Sequence, residues 1–171
     1  EMCIRDSHEL NSNRTLKTRF VLSDFAGCTG VFNKALIDEV VKFEPKYMLM
    51  HDTWVLRVCI ALGGTVVVDP KPRMNYRQHS SNTLGLGHSF RATVRQVRQY
   101  IYDYHVEEVT KELVRGYENQ IVPEYKEVCR WICKYRENTK YKKKLLDSNN
   151  VDFCKRGLNI TYWLKVKMNR L

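Results

Sequence analysis

The sequence predicts an α/β half followed by a mostly α-helical, basic half, with the boundary at Gly87. Three observations carry this. Before Gly87 the apolar residues fall into short runs, some at helical spacing and one β-branched, divided by glycine and proline. Beyond it the runs lengthen and read as helix throughout. Charge divides at the same place: residues 1–87 hold 11 Lys and Arg against 9 Asp and Glu, while residues 88–171 hold 18 against 10.

With 171 residues and 43% hydrophobic content, the chain is one domain's worth and can bury a real core. A net charge of +10 suits an anionic partner, whether nucleic acid, an acidic membrane surface or a phosphorylated substrate. No apolar run approaches the roughly 18 to 20 residues of a spanning helix, and no secretory leader is evident. The expectation is a cytoplasmic protein, soluble or peripheral on the inner face of the plasma membrane. Six cysteines, at 3, 28, 59, 129, 133 and 154, form no CxxC pair and lie mostly in apolar segments, which suits reduced thiols. Cys129 and Cys133 sit four apart on one helix, yet no second ligand pair accompanies them.

The elements follow in order. Residues 1–7, "EMCIRDS", fit nothing downstream and read as a non-native, adaptor-like scar, which would leave the true N-terminus missing. "FVLSDFAGCTGVFNKALIDEVVKF" begins as an extended apolar segment and turns at Gly27 to Gly30. It then shows helical spacing through Leu36, Ile37, Val40 and Val41 and stops before Pro45. "HDTWVLRVCIALGG" is a helix starting at or near Asp52, with Gly63 and Gly64 as its stop signal. Thr65 to Val68 is a β-branched strand, broken by Pro70 and Pro72 and followed by a second short extended piece. Ser80 to Gly87 has loop composition. The helical half then runs through "SFRATVRQVRQYIYDYHVEEVTKELVRGYENQ", "PEYKEVCRWICKYREN", a basic stretch "TKYKKKLLDSNN" and a last helix in "FCKRGLNITYWLKVKMNRL".

Two constellations carry chemistry. Asp52 falls at the N-cap or first turn of its helix, where backbone N–H groups and the helix dipole favour the carboxylate. That position needs no purpose beyond capping, but a first-turn carboxylate beside the Trp54 ring can also take a proton from a hydroxyl while the ring packs on a sugar. The second constellation is "YRQHSSN". Its Arg77, Gln78, His79 and Asn82 offer cationic and amide donors plus an imidazole, a set suited to a diphosphate or a metal-bound diphosphate.

The succession "FAGCTGVFNKALID", "YMLMHDTWVLRVCIALGGTVVVDPKPRMNYRQHSSNTLG" and a basic helical tail resembles bacterial family 2 glycosyltransferases of the rhamnosyltransferase-like kind, which build O-chains, capsules and other surface polysaccharides. The resemblance spans Leu22 to Gly85 closely and the tail loosely. It implies the C-terminal, acceptor-side part of a GT-A nucleotide-sugar transferase fold over residues 8–87, with residues 88–171 as a helical extension. It further implies transfer with inversion from a nucleotide-sugar donor to a saccharide or lipid-linked acceptor. Asp52 would be the general base, and Gly27, Cys28, His51 and Trp54 would shape the acceptor site. Arg77, Gln78, His79 and Asn82 would face the diphosphate, with His79 a further ligand of Mg2+ or Mn2+. The family's donor half and its DxD-type metal carboxylates have no counterpart here, so this chain alone is expected to be inactive.

In the tail, Leu158, Tyr162, Lys165 and Met168 define one helical stripe, and Trp163, Lys167 and Arg170 lie on another face. An aromatic, basic end of this kind suits an anionic membrane surface. The rival function is a non-catalytic basic helical module binding nucleic acid or such a membrane, with Arg91, Arg95, Arg98 and Lys111 along one helix. Glu107, Glu108, Glu112 and Glu118 on the same segment oppose phosphate, so no nucleic-acid partner is expected.

Overall fold

The computed structural model describes residues 2–3, 15–21, 27–69, 75–76, 94, 98 and 101–171. Among them the chain forms α1 (Leu16–Val21), a 3-10 turn (Gly27–Thr29), α2 (Lys34–Val40), α3 (His51–Ala61), α4 (Val106–Tyr117), α5 (Pro123–Lys134), α6 (Thr139–Leu146) and α7 (Arg156–Lys167). Extended pairing is limited to β1 (Met2–Cys3) against β2 (Asn75–Tyr76), antiparallel, with Met2 opposite Tyr76.

The α/β expectation, and with it the GT-A fold, is therefore corrected: the described residues are all-α apart from that two-residue ribbon. Thr65 to Val68 has strand propensity, yet residues 65–69 take no regular secondary structure, and Val67 stands in solvent. β-Branched residues favour a strand when a pleated neighbour covers them, and here no described segment pairs with this one. Phe20 and Val21, read as extended, instead end α1. The Thr15 hydroxyl accepts from the Thr18 N–H at 3.2 Å and so starts that helix.

The helix boundaries have local causes. Asn33 caps α2 by accepting the Leu36 N–H at 2.9 Å, and Asn138 does the same for α6 through Lys140. Pro123 occupies the first turn of α5, where its missing N–H costs nothing. Past α3, Gly63 takes φ +77, a left-handed conformation suited to glycine. The Val122 N–H then bonds the Ala61 carbonyl at 2.9 Å, tying the end of α3 to the start of α5.

Successive helices α4 to α7 pack each on the next, and α3 packs against α1, α2 and α5. A single apolar core runs from Phe20 and Val21 through Trp54 and Val58 to Leu113, Ile132, Phe153 and Val166. The C-terminal Leu171 closes it, its N–H donating to the Tyr135 hydroxyl at 2.9 Å.

Candidate functional site

At the head of α3, the extended residue Met50 precedes a helix start with no side-chain cap of its own. Asp52, in the first turn, is only 5% exposed. Its Oδ1 accepts the Thr53 N–H at 2.7 Å, and its Oδ2 accepts the Gly27 N–H at 2.8 Å from 25 residues upstream. The Thr53 hydroxyl donates to the Met50 carbonyl at 2.9 Å and steadies the same turn. Two backbone donors, one on each oxygen, fix the direction of the carboxylate.

Gly27 is required for this geometry. A Cβ there would lie 2.8 Å from the Asp52 Cβ and 2.9 Å from Oδ2. The resemblance assigned Gly27 to the acceptor site; the contact that its missing side chain admits is Asp52 itself. Cys28 is exposed on the same turn, and His51 is exposed at the helix start. Trp54 goes the other way. It is 3% exposed, with its ring centroid 6.3 Å from those of Phe43 and Tyr117, so it serves the core and offers no open face to a sugar. Arg77, Gln78, His79 and Asn82 lie outside the described residues.

Neighbours that sequence reasoning missed complete the surroundings. Arg57, one and a half turns along α3, is buried; its Nη2 donates to the Val21 carbonyl at 2.9 Å and its guanidinium lies 5.8 Å from the Phe20 ring centroid. Tyr104 approaches from the segment before α4. Burial pushes its hydroxyl's pKa up, the Arg57 charge opposes that shift, the Asp52 charge adds to it, and a side-chain hydrogen bond with Thr53 opposes it. Lys165 of α7, fully buried, donates to the Tyr104 carbonyl. Burial pulls its pKa down to about 7, against the pull of Asp103. Only a long-range contact brings Tyr104 and Lys165 here, and no local period in the sequence announces it.

Among the described residues there is no group of three or more His, Cys, Asp or Glu side chains able to hold an ion. His79, the one ligand of Mg2+ or Mn2+ that the resemblance places in this chain, lies outside them. Cys129 and Cys133 are free thiols pushed up to about 12 and about 11, chiefly by burial. On α4, Lys111 pairs with Glu107 and Glu108, and Arg115 with Glu112, so this helix presents self-neutralised charge where a nucleic-acid module would need a basic stripe. Arg91 and Arg95 lie outside the described residues, and Arg98 is exposed. No described helix is long and apolar enough to cross a membrane.

No protein-family model, curated protein or solved structure matches this chain.

Proposed function

We propose that this chain carries the acceptor-side part of a glycosyltransferase, with Asp52 as the base that activates an acceptor hydroxyl. The observation that supports this most is the 2.8 Å hydrogen bond from the Gly27 N–H to Asp52 Oδ2. It joins the "GC" turn to the "HD" helix start, two of the elements on which the sequence resemblance rests.

The chemistry asked of Asp52 is limited. As the acceptor oxygen attacks the anomeric carbon from the face opposite the leaving group, its proton passes to the carboxylate, the bond to the nucleoside diphosphate breaks, and the configuration inverts. A base for this step must be ionised near neutral pH, fixed in direction and largely shielded from water. Gly27 and Thr53 each occupy one lone pair, and each carboxylate oxygen retains another for the incoming hydroxyl. Cys28 and His51, next in the chain to Gly27 and Asp52, are both exposed.

The test is sugar transfer from labelled nucleotide sugars to saccharide and lipid-linked acceptors by the full-length gene product that contains this sequence, compared with its Asp52→Asn form. Asparagine keeps an oxygen for the Gly27 N–H but cannot take the proton. The expected loss is about 10²- to 10⁴-fold in rate, with the chain still folded and its melting temperature lowered only by the loss of the acceptor for the Thr53 N–H. A rate within a few-fold of wild type would remove Asp52 from the reaction.

A further inference from the structure

We propose that the outer face of α7 docks on an anionic lipid surface. Ile160, Trp163, Leu164 and Met168 are all exposed, and their spacing of i, i+3, i+4 and i+8 sets them on one stripe of the helix and its last turn. The stripe expected from sequence is split by the fold: Tyr162 and Lys165 face the core with Val166, Leu158 is half-buried, and Met168 is exposed with Trp163, Lys167 and Arg170 of the other expected face. Four large apolar side chains side by side on a solvated helix are the signature of a surface meant to be covered.

Charge decides what covers it. From Thr139 to Leu171 the chain has nine Lys and Arg against two Asp. Exposed Lys155 and Arg156 flank one end of the stripe and Lys167 and Arg170 the other, while α6, packed alongside, adds exposed Lys140, Lys143 and Lys144. The Lys167 ammonium lies 5.0 Å from the Trp163 ring centroid, so cation and aromatic present together. An open groove of about 670 Å³ beside the stripe is lined by Lys155, Arg156, Ile160 and Trp163. Its one acid, Asp152, already accepts from Asn159 at 2.7 Å and from the Cys154 N–H at 2.8 Å.

Three occupants compete. A second copy of the chain would set this cationic surface against itself. A nucleic acid would reward the cations and Trp163 but leave Ile160, Leu164 and Met168 unrewarded. An anionic bilayer answers both features, taking the apolar stripe into the acyl boundary and the flanking ammonium and guanidinium groups at its headgroups. This inference stands independently of sugar transfer.

The experiment uses the purified chain with phosphatidylcholine vesicles, with and without phosphatidylglycerol. Trp54 and Trp131 are 3% and 7% exposed and Trp163 is 46% exposed, so a blue shift and quenching by brominated lipid report Trp163. The expected result is flotation and blue shift with the anionic vesicles, lost in Ile160→Ser/Leu164→Ser and weakened more than about tenfold in Arg156→Glu/Lys167→Glu. Circular dichroism checks that both variants fold. Absence of flotation overturns the proposal, as does flotation equal in all three proteins. So does a concentration-dependent dimer, or binding to an oligonucleotide without vesicle binding, in place of the lipid interaction.

Discussion

In α3, eight of eleven residues are buried, and two of the eight, Asp52 and Arg57, are charged. In α7, only four of twelve are buried, while Ile160, Trp163 and Leu164 stand in solvent. The two helices depart from apolar-in, polar-out in opposite directions. Burying a charge costs several kcal/mol unless hydrogen bonds answer it, and α3 answers through Gly27, Thr53 and Val21. Leaving a large apolar side chain in water forgoes about 1.5 to 3 kcal/mol, and no described residue covers these side chains of α7. Between them α4 and α5 bury mainly apolar faces, with Glu107 the one buried charge, paired to Lys111 and Arg136, and they supply the core that tolerates both departures. Helices whose local pattern disagrees with their burial are where function is to be sought in this fold.

The largest test of the contrast is Lys165, the one fully buried cation on the otherwise open α7. Its pKa is pulled down from 10.5 to about 7 in the folded chain. Below pH 7 the amine is charged in both states and the fold carries the full penalty. Above it the unfolded chain holds one proton more than the folded one, so stability rises with pH, at up to about 1.4 kcal/mol per unit. The useful window closes near about pH 8.5, where thiols of the unfolded chain begin to ionise. Cys129 and Cys133, held at about 12 and about 11 in the fold, then pull stability the other way. Chemical denaturation across this window is expected to show a rise of roughly 2 kcal/mol in the wild type, absent in Lys165→Met. Parallel profiles would mean that Lys165 is not the titrating group, and α7 would lose its inward-facing charge.

Much of the helical half was legible because its apolar residues recur at 3.6-residue spacing. Val106, Val109, Leu113 and Tyr117 line the buried face of α4, and Tyr125, Val128, Cys129 and Ile132 that of α5. The start of α3 near Asp52 and its stop at Gly63 were legible too, from a carboxylate in the first turn and a glycine that takes positive φ. Thr65 to Val68 misled because β-branched composition reports a preference for a covered pleat, and the cover is a tertiary fact. Trp54 misled for a related reason: adjacency to Asp52 in sequence places it on a different face of the helix, turned toward Phe43 and Tyr117. The approach of Gly27 to Asp52 follows from the fold of the chain between them, so the sequence could offer the two motifs and not the hydrogen bond.

Two glycines sharpen the contrast in packing at smaller scale, because one substitution should act with opposite sign in the two regions. In α4, a Cβ on Gly116 would sit 2.6 Å from Cγ and Cδ1 of Phe43. That ring cannot yield easily: Arg115 lies 4.5 Å from its centroid on one side, and Tyr117 and Trp54 lie at 5.7 and 6.3 Å. Alanine improves helix propensity by about 1 kcal/mol, but overpacking of this kind costs about 1 to 3 kcal/mol, so Gly116→Ala is expected to lower the urea midpoint. Gly157, in the first turn of α7, has nothing within 4 Å of where its Cβ would be. There the propensity gain goes unopposed, and Gly157→Ala is expected to stabilise by roughly 0.5 to 1 kcal/mol. A fall in midpoint for Gly157→Ala would mean that the start of α7 is covered in solution, and the open face from which the lipid contact was argued would be closed at the end where Arg156 lies.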